Sequence, residues 1–284
     1  MRITLLGTGG PRPDPKRQGP ATLVEAGGLR LLFDAGRGVA TQLARTGVRT
    51  DDLDAVFITH HHFDHIGGLG DLLMAAWNNG RTDPLTVVGP LGTGEIISAL
   101  FDHVYARDIE FRIAEDWALG HPLEPPAAMV EVREMLNGGI ELTHGVHIEV
   151  GRVEHGSTAL DLTIEQWSTL GYRIEAEGKS VAISGDAVAG ASLSQLAASA
   201  DALVMCAYLA EDEITTDADR FLTDNILAGA PQAASIATDA GVQRLILTHI
   251  REKSQEASKA MAEQVAAAFD GEVIVGEDLL TIDV

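Results

Sequence analysis

The chain has 284 residues, 45% of them hydrophobic and 22% charged, which suits a protein with a sizeable buried core. Its apolar runs fall far short of the ~20 residues that a bilayer-spanning helix needs, so a soluble protein without membrane partners is expected. The formal net charge of −22 argues against phosphate-backbone partners, since Lys and Arg gather only in the short groups RPDPKR and REK; nucleic acid is disfavoured as a substrate.

Apolar β-rich runs alternate with helical patterns along most of the chain, which points to an α/β layered protein. RITLLGT, ATLVEAGG and LRLLFDAG read as strands, and Gly27-Gly28 between the last two is a hairpin signal. VATQLARTG reads as a helix stopped by Gly47. DAVFIT is a short buried strand, Ile66 to Asn79 a helix, LTVVGP a strand and Gly94 to Tyr105 a helix. Periodicity weakens from Asp108 to Gly139, a stretch read as an insertion or flap over the site. IELTH, VHIEVGRVEH, GYRIEAEG and SVAISGD then form a run of strands. The tail alternates again: helix around Leu193 to Ala200, strand DALVMCAY, helix around Asn225 to Ala240, strand QRLILTH, helix Gln255 to Phe269 and two closing strands. No compositional break divides the chain, so 1–284 is expected to form one domain. The opening MRITLLGTGG has no basic leader before a long apolar region, and the one cysteine, Cys206, suits a reducing compartment; a cytoplasmic protein is expected. Cys206 lies in an apolar strand and reads as a small buried hydrophobe.

The stretch ITHHHFDHIGG leaves the DAVFIT strand with four histidines and an aspartate in close succession. On such a loop His60 and His62 can aim at one point, and Asp64 and His65 at a second point close by. Imidazole nitrogen and carboxylate oxygen are ligands of zinc and similar divalent ions, and a loop after a rigid strand lowers the entropy lost in ordering them. Further ligands are expected at later strand ends, where His155, Asp186 and His249 each follow an apolar strand. His61, between ligands, should point away and serve structure. Asp34, in the LFDAG turn, either caps that turn or orients a ligand histidine. His144 and His147 flank a strand turn, and one of them could approach the site. Trp77, Trp167 and Tyr208 read as core residues that could also line a pocket.

The run HHHFDH, with His155, Asp186 and His249 downstream, resembles the metallo-β-lactamase superfamily over nearly the whole chain. The resemblance implies an α/β fold, a four-layer αββα sandwich of mixed sheets with a dinuclear metal site at one edge. It further implies that His60, His62 and His155 hold one ion, that Asp64, His65 and His249 hold the other, and that Asp186 bridges them. Two divalent metal ions are expected, zinc first, with manganese and iron(II) as alternatives. A hydroxide shared by two such ions is the implied nucleophile, with Asp64 as proton acceptor; Asp64 and Asp186 are thus the expected catalytic residues. GTGGPRPDPKRQGPATLVE with SGDA is similar to the ribonuclease Z-like group, which includes phosphodiesterases and arylsulfatases.

Two departures bear on substrate. Ribonuclease Z proper carries a long arm between its third histidine and the bridging aspartate, whereas His155 and Asp186 are close in sequence here. It also carries a His-Glu-Ala-Thr segment and a further histidine upstream of the last ligand, where this chain reads VMCAYLAED and NILAGAPQAAS. The resulting expectation is a dizinc hydrolase of a small-molecule ester, phosphodiester or sulfate ester first. Carboxylic ester, lactone or amide hydrolysis is the alternative. Transfer RNA 3′ processing and a non-catalytic metal carrier rank lower. Arg107, Arg112 and Lys253 are candidate anion contacts, and a homodimer is allowed.

Overall fold

Leu5 and Leu6 are sequence neighbours that end in different cores. Side chains alternate across β1 (Arg2–Gly7), so Leu5 enters the layer between two sheets while Leu6 enters the layer beneath helices. The protein is described by a computed structural model that covers residues 1–284. β2 (Ala21–Ala26) and β3 (Leu29–Phe33) form the expected hairpin, and Gly27 and Gly28, at φ 58° and 81°, take the positive dihedrals of a tight two-residue turn. Helix α1 (Val39–Thr46) ends, as expected, at a left-handed Gly47. After β4 (Ala55–Phe57), the single helix expected over 66–79 is two helices, α2 (Phe63–Ile66) and α3 (Leu69–Asn78). Gly67-Gly68 separates them. A Cβ on Gly68 would lie 2.3 Å from the Gly36 carbonyl oxygen, so the break lets two loops touch.

β5 (Leu85–Gly89) precedes α4 (Thr93–Ala99), which runs through a π-helical turn at Leu100–Val104 into α5 (Ala106–Ala118) and on to β6 (Val130–Glu134). The stretch read as an irregular flap is therefore largely a helix and an edge strand. Its helical period was unreadable because α5 buries only Ile109 and Asp116 and leaves Phe111 and Trp117 exposed. β7 (Gly138–Glu141), β8 (His147–Val153), β9 (Thr169–Ala176) and β10 (Lys179–Ile183) pair antiparallel in succession. There follow α6 (Ala191–Leu196), β11 (Ala202–Cys206), α7 (Asp217–Asn225), α8 (Ala230–Ala240), β12 (Arg244–Thr248), α9 (Gln255–Ala268), β13 (Glu272–Val275) and β14 (Thr281–Asp283). Where one helix was expected over 225–240, Gly229 and Pro231 instead start α8 afresh, since proline is tolerated in a first helical turn but not in an interior.

The first sheet runs β14-β1-β2-β3-β4-β5-β6 and the second β13-β12-β11-β10-β9-β8-β7. Both are mixed, with parallel pairing from β3 to β6 and from β10 to β13. Their inner faces bury Ile3, Leu31, Phe33 and Phe57 against Tyr172, Ile174, Val181 and Val204. Leu43, Leu72 and Trp77 cover the outer face of the first sheet, and Leu193, Ala233 and Val265 that of the second. The result is the expected α/β, four-layer αββα sandwich. The loops leaving β4, β8, β10 and β12 meet at one edge of it, and these carry the polar residues singled out above.

Candidate metal centre and cleft

β4 is clamped from the opposite sheet as it ends. Tyr172 Oη donates to the Ile58 carbonyl at 2.7 Å, and the Leu170 N–H donates to the Thr59 carbonyl at 2.8 Å. From this fixed base the loop presents His60 and His62 to one side, while α2 presents Asp64 and His65 to the other. His155 follows β8, Asp186 follows β10 and His249, at φ 54°, follows β12.

Two clusters result, His60, His62, His155 and Asp186 in one and Asp64, His65 and His249 in the other, with the donor atoms of each within 4.8 Å of one another. Asp186 faces both. Its Oδ2 lies 3.9 Å from His60 Nε2 and 3.8 Å from His155 Nε2, and its Oδ1 lies 3.3 Å from both His65 Nε2 and His249 Nε2. His62 turns Nδ1 inward, 3.0 Å from His60 Nε2 and 3.1 Å from His155 Nε2.

Each ring is held from behind. Asp34 Oδ2 accepts from His65 Nδ1 at 2.7 Å and from the Thr59 hydroxyl at 2.9 Å, while its Oδ1 accepts from the Thr59 N–H at 2.8 Å. With its own proton committed, Thr59 Oγ1 accepts from His60 Nδ1 at 2.9 Å. His155 Nδ1 donates to the Ile226 carbonyl. These bonds fix the ring orientations, so His60, His65 and His155 all turn Nε2 toward the centre. Asp34 thus orients histidines of both clusters, and its side-chain bonds go to Thr59 and His65 rather than to its own turn.

The residues fit divalent cations. Burial, and then the charge of His65, push His60 well below the ordinary imidazole range. Burial with His155 beside it brings His62 to about 4. Burial opposes ionisation of Asp186, yet His249 and His65 hold its carboxyl well below the usual range. His60 and His62 are thus neutral beside a charged Asp186, as ligands must be. Against its burial, the Asp186 and Asp34 carboxylates raise His65 well above the ordinary range, holding a proton that a bound cation would displace. His65 Nε2 and Asp186 Oδ1 face the centre and are buried without a hydrogen-bond partner, and such atoms are costly unless a ligand satisfies them.

Beside the clusters opens a cleft of about 430 Å³ that His62, Asp64, His155, Asp186 and His249 line together with Arg12, Arg251, Phe63, Tyr208 and Ile226. A larger surface cavity of about 630 Å³, between residues 14–17 and 252–262, contains none of the seven donors. No residue of 108–139 lines the cleft. The expected anion contacts do not reach it either: Arg112 pairs with Glu115 and Asp116, Lys253 is tied to Glu213, and Arg107 lies on α5. Arg12 and Arg251 are the cationic residues that do. The signal for them lay in GTGGPR and THIR, each placing an arginine shortly after a strand that ends at the site edge. His61 points away, 2.9 Å from Thr93 Oγ1. His147 pairs with Glu141, and neither it nor His144 joins the clusters. Trp167 packs on His62 with ring centroids 4.6 Å apart, Tyr208 lies 5.9 Å from His249, and Trp77 is core.

An αββα sandwich with paired His/Asp clusters at one edge defines a divalent-metal hydrolase acting on ester bonds. The chain belongs to the beta-lactamase superfamily: residues 29–250 match the family described as Beta-lactamase superfamily domain. Over its full length it is similar to proteins named Ribonuclease Z. That of Mycobacterium bovis (strain BCG / Pasteur 1173P2) is 40% identical over 293 aligned positions, covering 100% of this chain and 98% of that one. Human tRNase Z, short form, superposes with TM-score 0.73 at 22% identity, covering 100% of this chain and 99% of that one. The metallo-beta-lactamase fold protein YhfI from Bacillus subtilis superposes with TM-score 0.74 at 19% identity, covering 99% and 98%. At those identities the two structures speak to the fold.

The sequence relatives overturn two expectations, a small-molecule ester as the favoured substrate and nucleic acid as an unlikely one. The missing arm was weak evidence. All 284 residues fit an alignment of 293 positions, so a relative named Ribonuclease Z has no long arm that this chain lacks. The charge argument failed because −22 is a sum over the whole surface, whereas a substrate meets a local field. At the cleft that field includes Arg12 and Arg251.

Proposed function

We propose that this chain is a zinc-dependent endonuclease that matures transfer RNA by cutting a phosphodiester near its 3′ end, and that it works in the cytoplasm. The observation that carries the reading is the 40% identity, over the full length, to a protein named Ribonuclease Z. His60, His62 and His155 would hold one ion, Asp64, His65 and His249 the second, and Asp186 would join them. Nitrogen and carboxylate donors without thiolate favour zinc, with manganese and iron(II) next. When bound, such ions supply positive charge to a phosphodiester and make a water acidic enough to attack at neutral pH.

The chain's own residues do the rest. Asp34, Thr59 and the Ile226 carbonyl hold the imidazoles in place before substrate arrives, so no reorganisation is needed during reaction. The Asp64 carboxylate, 3.2 Å from His249 Nε2 and lining the cleft, would take the proton of the attacking water. Arg12 and Arg251 would bind phosphates of the incoming strand. Purified protein incubated with a precursor transfer RNA bearing a 3′ trailer should release the trailer in one cut, lose the activity with chelator and regain it with zinc. Metal-replete protein that leaves the trailer attached would refute the reading.

A further inference from the structure

Phe63 stands between His62 and Asp64, that is, between the two clusters, and the residue is 65% exposed. It belongs to none of the three buried apolar clusters and to none of the residues packed against them. Folding gains nothing evident from a phenyl group there, and an exposed ring leaves apolar area in water at a cost. Of the nine exposed large hydrophobic residues, Phe63 alone lines the cleft. The same cleft presents two arginines and an apolar wall of Leu222, Ile226 and Leu227. Cations beside an exposed aromatic ring match a ligand made of phosphates and flat bases.

We propose that Phe63 is a nucleobase-stacking residue, whose ring seats the base flanking the scissile phosphodiester while Arg12 and Arg251 bind neighbouring phosphates. This rests on the reading of the substrate as RNA and deepens it. Any base offers a π face, so the contact tolerates sequence and sets position. As the first residue of α2, Phe63 sits on the same short element as Asp64 and His65. A base stacked there is therefore registered directly against the reacting centre.

The test compares Phe63→Trp, Phe63→Leu and Phe63→Ala on precursor transfer RNA, with metal content measured in each. In parallel, an RNA carries 2-aminopurine at the nucleotide next to the cleavage site, whose fluorescence is quenched by stacking. Wild type and Phe63→Trp should quench the probe and share a KM within about threefold. Phe63→Leu and Phe63→Ala should raise KM about tenfold or more and lose the quench, with metal content unchanged. Leucine keeps the apolar bulk without the ring, so a Phe63→Leu variant that matches wild type in KM and quenching overturns the stacking role. If wild type cleaves the RNA but all three variants equal it, stacking alone fails. If metal-replete wild type neither binds nor cleaves the RNA, the RNA reading fails and takes the stacking role with it.

Discussion

Asp34 Oδ2 accepts the His65 Nδ1 proton at 2.7 Å and, through the Thr59 hydroxyl, also governs the ring of His60. One buried carboxylate therefore holds a histidine of each cluster, and it does so from a residue at φ 59°, a left-handed backbone that non-glycine residues seldom adopt. Asp34→Ala is expected to weaken metal binding at both clusters, by about 10- to 100-fold, since such supporting bonds carry effects of that order. Equilibrium dialysis against zinc reads this directly. Unchanged affinity at both would show that the rings are held by packing alone.

His61 illustrates the opposite case. Its Nε2 donates to Thr93 Oγ1, which in turn donates to the Pro90 carbonyl at 2.7 Å, so the ring fastens the motif to the start of α4. His61→Ala should cost about 1 kcal/mol of stability, the net worth of an ordinary hydrogen bond, and leave metal content at the wild-type level. His62→Ala should keep stability within that range but empty one cluster. Loss of metal from both variants alike would mean that the loop adopts another register.

Much of the centre was legible in the sequence because ligand chemistry there is local. HHHFDH compresses four donors onto one loop, and the other three each end an apolar strand, where side chains must emerge at a sheet edge. Asp34 was readable only as one of two alternatives. Its double role depends on Thr59 lying between it and His60, a triangle that no spacing rule describes. Phe63 was overlooked because it sits inside the motif as the variable letter. Substrate was misread for a physical reason: composition reports total charge, while Arg12 and Arg251 become neighbours of the clusters only after β1 and β12 are assembled at one edge. The weak pattern over 108–139 has a similar origin. β6 is an edge strand and α5 is mostly exposed, so neither needs the apolar periodicity that makes core elements visible.

Tyr172 joins the sheets beneath the motif. Its ring meets Phe33 and Phe57 edge-on at 5.5 and 5.4 Å, and its hydroxyl donates to the Ile58 carbonyl. Tyr172→Phe keeps the packing and leaves that buried carbonyl unpaired, at a cost of about 1–3 kcal/mol. Thermal unfolding of the metal-free and metal-loaded forms should both shift down. A drop in metal-loaded protein alone would instead assign the bond to holding the ligands.

Cys206 is fully buried on β11, and burial pushes its thiol up to about 12. The folded thiol therefore titrates above the unfolded one. Its contribution is fully present below the unfolded value and is lost as pH rises toward 12. Between those limits the unfolded chain sheds a proton that the folded chain keeps, and stability falls by about 1.4 kcal/mol per pH unit from this group. In denaturant titrations, wild type should therefore lose more stability than Cys206→Ala between about pH 8 and pH 10. Equal losses would contradict the assignment, as would rapid alkylation of the native protein at about pH 8.

Asp186 differs from every other donor in serving two clusters with two oxygens, Oδ2 toward His60 and His155 and Oδ1 toward His65 and His249. Removing it should therefore do what no single histidine change does. In Asp186→Ala each cluster loses an oxygen, and two cations would face each other across a few ångströms with no anion between them, a repulsion that low-dielectric surroundings enlarge. Metal content is expected to fall from about two per chain to less than one, against about one for His62→Ala, and trailer cleavage should drop at least about a hundredfold. Asp186→Asn separates charge from shape: its amide keeps one oxygen but no net charge, so it should resemble the alanine variant in metal content if neutralisation is the main role. Should Asp186→Ala retain as much metal as His62→Ala, the two clusters would be independent sites and the bridging assignment would be wrong.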